Sequence, residues 1–166
     1  MKFTLIKQDT LSGSQAGIYS VKLDEEDETL LERFVRENQI AFADEVTDIL
    51  LTLKTIGHAT GAREKFFKPK EGKPGDGIEA LYDPDRSHLR LYCIRNGRVA
   101  VIVGGGGVKN KAIRAWQEDA RLSAENKLLQ LVSKTMTKAL LAQDLQWSQD
   151  GTDLLGNLTI DTADYQ

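Results

Sequence analysis

The chain has 166 residues, 40% of them apolar, which suits one domain with a small appendage. No apolar run reaches about 18 residues, the N-terminal apolar run is too short for a signal peptide, and Cys93 is the only cysteine. These features speak against a membrane span, an internal disulfide and a cysteine-based metal site, and they favour a reducing, cytoplasmic setting.

The formal net charge of -3 is unevenly spread, because residues 63 to 138 carry a net +7 between two flanks of -5 each. A basic middle between acidic ends suits an anionic partner for the middle, or a set of solvated faces whose charges cancel in space. Met1 to Gln8 and Gly17 to Leu23 read as strands joined by the turn residues Ser12, Gly13 and Ser14. The acidic run Asp24 to Glu28 precedes Leu30, Leu31, Phe34 and Val35 at helical spacing, the placement a helix dipole favours. A second helix is expected over Phe42 to Ile56, with Gly57 as its stop, so the two form a helical hairpin.

Residues 60 to 77 read as a basic, glycine- and proline-containing loop anchored by Phe66 and Phe67. Three strands follow in a meander. They are Ile78 to Tyr82, Leu89 to Arg95 and Arg98 to Val103, with Asn96-Gly97 as a two-residue hairpin signal. Alternation sets Leu89, Leu91 and Cys93 against Arg90, Tyr92 and Ile94. The run "VAVIV" is apolar on both faces, which marks a central strand. A helical pattern extends from Asn110 to Gln143, with a break expected near Arg121 to Ala124. The order predicts an α+β domain, residues 1–143, with helices packed on an antiparallel sheet, followed by an acidic arm, residues 144–166. Asp150-Gly151 between Trp147 and Leu154 reads as a small hairpin or an ordered arm, which either lies across the basic meander, anchored by Trp147 and Leu154 or Leu155, or completes the sheet or covers its edge.

Four glycines, Gly104 to Gly107, end the central strand. They do not form a phosphate-binding P-loop, since Val108 intervenes before Lys109 and Asn110 follows it. Nor do they fit a dinucleotide fingerprint, whose sixth position would be Lys109 or Asn110. Glycines here allow close backbone approach, or a bulge that redirects Lys109 and Lys111. Two histidines, His58 and His88, lie 30 positions apart and form no metal-ligand spacing.

The segment "LRLYCIRNGRVAVIVGGGGVKNKAIRAWQEDAR" resembles the C-terminal half of the RelE/ParE/HigB superfamily of bacterial toxins, above all its HigB-like, phage-derived branch. The features that carry the resemblance are Arg90-Leu91-Tyr92, the Asn96-Gly97 turn, Val99 to Val103, the glycines, and Lys109 and Lys111. Upstream, a helical hairpin, a basic loop from Arg63 to Lys73 and "GIEAL" keep the same order across roughly residues 28 to 125. Three details depart from the family pattern. Leu81 stands where an arginine is common, glycine replaces an aromatic before the lysines, and Asn110 separates Lys109 from Lys111.

The resemblance implies a RelE-like fold and the toxin of a type II toxin-antitoxin system, acting as a metal-free, cofactor-free endoribonuclease on mRNA at the ribosome. An antitoxin protein would be its partner, and no membrane would be involved. It implies cleavage by the RNA's own 2′-hydroxyl. Such a reaction needs cations to stabilise phosphate charge and a group that moves a proton. Arg90, Tyr92, Lys109, Lys111 and His88 are the catalytic candidates. Arg63, Lys65, Lys68, Arg95, Gly105 and Gly106 are the candidates for RNA binding. The alternative is a non-catalytic RelE-like fold that binds a protein or nucleic acid.

Overall fold

The computed structural model describes residues 1–69, 77–109 and 119–166. Its first hairpin, β1 (Lys2–Lys7) and β2 (Gly17–Leu23), is antiparallel, with Leu5 opposite Val21. α1 (Leu30–Asn38) starts at a capping box. The Thr29 hydroxyl accepts from the Glu32 N–H at 3.1 Å, and the Glu32 carboxylate accepts from the Thr29 N–H at 3.0 Å. The acidic run therefore lies before the helix, where Glu28 pairs with Arg36 at 2.6 Å.

α2 (Ala43–Thr55) runs on through a π-turn, Ile56–Thr60. Gly57 is thus inside the helical path. The stop is Gly61, whose φ of 74° lies in the left-handed region that favours glycine. A 3-10 turn, Glu64–Phe66, leads to the short strand β3 (Phe67–Lys68). β4 (Ile78–Leu81), β5 (Leu89–Asn96) and β6 (Ala100–Val108) form the meander. α3 (Ala120–Leu141) is capped by Asp119, whose carboxylate accepts from the Leu122 N–H at 3.0 Å. The expected helix start at Asn110 falls outside the described residues.

Among the described residues, seven strands form one sheet in the order β3-β4-β5-β6-β2-β1-β9, where β9 is Thr159–Asp161. The expectation of an antiparallel sheet is corrected at its centre: β2 and β6 pair parallel, Gly17 opposite Ala100 and Ser20 opposite Val103. Both are buried over most of their length, as strands covered on two faces must be. The Ser20 hydroxyl donates to the Val103 carbonyl at 2.8 Å and accepts from the Leu31 N–H at 3.2 Å, so it ties the start of α1 to this pair.

Apolar side chains fill both faces of the sheet. On one face, Leu122, Leu129, Val132, Met136 and Ala139 of α3 pack on Phe3, Tyr19, Ile78, Tyr92 and Ile102. On the other, Leu31 and Phe34 of α1 and Val46 and Leu53 of α2 pack on Ile18, Leu89, Leu91, Cys93 and Val101. The result is an α+β, three-layer arrangement around a mixed sheet.

The C-terminal residues are part of this body. β7 (Leu145–Trp147) and β8 (Leu154–Gly156) make a small hairpin, and β9 adds to the free edge of β1. Leu145, Leu154 and Ile160 are buried with Phe3 and Leu5. The hairpin expected between Trp147 and Leu154 forms, β9 completes the sheet, and the acids of this stretch pair with the body, Asp153 with Lys7 at 2.7 Å and Asp161 with the N-terminal amine at 3.8 Å.

Candidate functional site

The sheet brings three cations to one carboxylate. Asp83 follows β4 and is 5% exposed. Lys68 at the end of β3 places Nζ 2.9 Å from its Oδ1. Lys109, just past β6, places Nζ 2.6 Å from Oδ2, and Arg90 of β5 places Nη2 3.4 Å from the same oxygen. The Lys109 ammonium also donates to the Pro84 carbonyl at 2.9 Å. Antiparallel pairing explains the convergence: Arg90 lies opposite Gly107, and the Lys109 N–H donates to the His88 carbonyl at 2.8 Å. Among the described residues, three cations meet this one acid on a partly buried patch, where the local dielectric strengthens attraction for an anion.

His88 stands beside this cluster. Its Nδ1 lies 2.7 Å from Glu45 Oε2, and Glu45 Oε1 accepts from the N–H of His88 at 2.6 Å and of Leu89 at 3.2 Å. The ring stacks on Phe42 with centroids 5.0 Å apart. Burial disfavours the charged form of Glu45, but the hydrogen bonds from His88 and from the two backbone N–H groups outweigh it and hold the carboxyl below its ordinary value. A cleft of about 300 Å³ runs from this clasp along α2, lined by Ile49, Leu81, Tyr82 and Leu89 among others. Tyr82 is 59% exposed and lies under the Lys68 ammonium at 5.5 Å.

The other expected site residues among those described lie elsewhere. Tyr92 is fully buried beneath α3, so as placed it offers no face to a base. Arg95 forms a bidentate pair with Glu79 at 2.8 and 3.1 Å, donates to the Ala62 carbonyl and covers the Phe67 ring, all on the α2 side of the sheet. Arg63 and Lys65 are exposed before β3. Lys111 lies outside the described residues. His58 contacts the Thr10 carbonyl at 3.2 Å.

Gly105 and Gly106 are buried, and the close approach their backbone permits is made by the chain itself. A Cβ at Gly105 would meet Glu125 at 2.1 Å, and one at Gly106 would meet the Arg90 carbonyl oxygen at 1.9 Å. Glu125, 5% exposed, is held over the strand by Arg33 and by Arg121. The strand also carries a bulge opposite Leu91 to Cys93. An RNA backbone therefore does not reach these two glycines as the chain is folded.

Asp83 and Glu45 were not singled out from sequence. Asp83 sits in "DPD", which reads as turn chemistry, and Glu45 in the first turn of α2, where an acid serves the helix dipole. Among the described residues, no three His, Cys, Asp or Glu side chains group closely enough to hold a metal ion, and no helix is long and apolar enough to cross a membrane. Comparison with protein-family models, with curated proteins and with solved structures finds no match.

Proposed function

We propose that the chain is a RelE-like toxin that binds RNA phosphate at the Lys68, Arg90 and Lys109 cluster and cleaves mRNA without a metal. The observation that carries this reading is the convergence of those three cations on Asp83 beside His88. Asp83 holds the cations in place and neutralises one of them. A phosphodiester entering the cluster still meets net positive charge, and the added charge of a pentacoordinate phosphorus meets it more strongly. His88 supplies the proton transfer, and the exposed Tyr82 ring supplies a stacking surface for a base. An antitoxin protein that neutralises the toxin would cover the same cations.

A second reading, RNA or protein binding without cleavage, draws support from the burial of Tyr92 and from the engagement of all three cations with Asp83. Induced expression separates the two. The toxin reading expects growth arrest and shortened mRNA, both relieved in Lys109→Ala and Arg90→Ala. Unimpaired growth with intact mRNA, alongside salt-sensitive RNA binding by the purified protein, would select the binding reading. Absence of RNA binding at low salt would overturn both nucleic-acid readings.

A further inference from the structure

The clasp between Glu45 and His88 has more order than a surface ion pair requires. A carboxylate at neutral pH has no proton to give, so the 2.7 Å contact with His88 is made by an Nδ1–H that donates. With Nδ1–H so engaged, the neutral form of the ring carries its lone pair on Nε2. Two further restraints hold the ring in place. Phe42, directly before α2, stacks on its face, and Glu45 Oε1 grips the backbone N–H of His88 itself. The His88 side chain is 54% exposed, and among the described residues Nε2 has no hydrogen-bond partner. On the opposite side, the Lys109 N–H donates to the His88 carbonyl, so the base and the cation cluster are joined through one stretch of ladder.

We infer that Glu45 is a positioning residue that fixes His88 as the Nδ1–H tautomer, so that Nε2 takes the proton of an RNA 2′-hydroxyl. This inference rests on the RNA-cleaving reading above for its substrate, but not for its tautomer. In the step, the 2′-oxygen forms a bond to phosphorus as its proton passes to His88 Nε2. The bond from phosphorus to the 5′-oxygen breaks. The leaving oxygen takes a proton, from the imidazolium or from water that the imidazolium then replenishes. The products are a 2′,3′-cyclic phosphate and a 5′-hydroxyl, with no net water consumed. Arg90 and Lys109 meet the charge on the non-bridging oxygens.

A purely structural role for Glu45, as a cap for two backbone N–H groups of β5, is separable from this one. In Glu45→Gln the amide oxygen still accepts from the backbone of His88 and Leu89, while the amide NH2 now faces Nδ1. That arrangement favours a lone pair on Nδ1 and a proton on Nε2. The test is nitrogen-15 NMR of the His88 imidazole, with the ring neutral, in wild type and Glu45→Gln, combined with RNA cleavage kinetics on both and on His88→Ala. The expected result is Nδ1–H in wild type and Nε2–H in Glu45→Gln. With it comes a loss in kcat on the order of 100-fold or more, little change in KM, and no further loss in the double variant with His88→Ala.

An Nε2–H tautomer in wild type overturns the inference without any variant, and so covers the case of a Glu45→Gln chain that fails to fold. A tautomer unchanged by Glu45→Gln, or a kcat unchanged despite the switch, also overturns it. Wild-type protein that binds RNA but never cleaves it removes the cleavage reading and the proton-acceptor role together, while the tautomer still reports whether Glu45 orients the ring.

Discussion

Asp83 is where stability and the proposed binding of RNA meet in one side chain. It is nearly buried and offsets part of the mutual repulsion of Lys68, Arg90 and Lys109. Asp83→Ala leaves those cations without their shared acid, and we expect it to cost about 3 kcal/mol in chemical denaturation, in line with breaking buried pairs elsewhere. Lys109→Ala leaves Asp83 two partners and is expected to cost less stability, but to weaken RNA binding and lower the slope of log affinity against log salt by about one. An unchanged salt slope in Lys109→Ala would show that the lysine serves the turn alone. Glu45 gives a pH prediction. Its folded value is depressed, so its contribution is present above the unfolded value of about 4.3 and is lost as pH falls through the folded one. The melting temperature of wild type should exceed that of Glu45→Gln at pH 6, and the gap should close on the acid side of pH 4. At this scale the sequence made the cations and His88 legible because their charge and chemistry are written in the residue type. Their acidic partners were hidden, since nothing in "DPD" or "ADEV" says which strand will come within 3 Å.

Strand β6 was legible as a central strand because an apolar run on both faces has to be covered twice. Its partner on one side was not, since alternation reports which face is buried but not the direction of the neighbouring strand. The glycines were legible as a site of close approach, but the approaching groups are in α3 and β5, too far along the chain for local pattern to name. This makes the four glycines unequal. At Gly106 an added Cβ would lie 1.9 Å from a backbone oxygen that cannot move alone, so Gly106→Ala is expected to cost on the order of 1–3 kcal/mol. At Gly107 the nearest atom is Arg121 Cγ at 3.3 Å, on a flexible side chain. Gly107→Ala should therefore be neutral, or stabilising by up to about 1 kcal/mol through the unfolded chain. Denaturant melts of the two variants check this, and equal losses would show that the register of β5 against β6 tolerates no side chain along the whole run.

At the scale of the molecule the two chain ends are one structural unit. β9 seals the edge of β1, the N-terminal amine lies 3.0 Å from the Thr162 hydroxyl, and the Tyr19 hydroxyl accepts from the Leu154 N–H at 2.9 Å. The acidic charge of residues 139 to 166 is visible in the sequence, and Asp150-Gly151 between Trp147 and Leu154 marks the β7–β8 hairpin, while β9, three residues long, is below the length at which alternation speaks. A tail that shielded the basic cluster would leave a folded and tighter-binding protein when removed. The contacts argue for the other outcome. Truncation after Gln143 deletes Leu145, Leu154 and Ile160, each buried, and at roughly 1.5–3 kcal/mol per buried side chain the loss is about 5–9 kcal/mol. That is comparable with the whole stability of an ordinary domain. It also uncovers Phe3 and Leu5 and leaves β1 as an open, apolar edge, a template for association with other chains. We therefore expect the 1–143 chain to lack a cooperative thermal transition and to aggregate at concentrations where the full chain stays monodisperse. Circular dichroism melts and light scattering measure both. A 1–143 chain that melts cooperatively at the full-length temperature and binds RNA more tightly at low salt would restore the shielding role and remove the structural one.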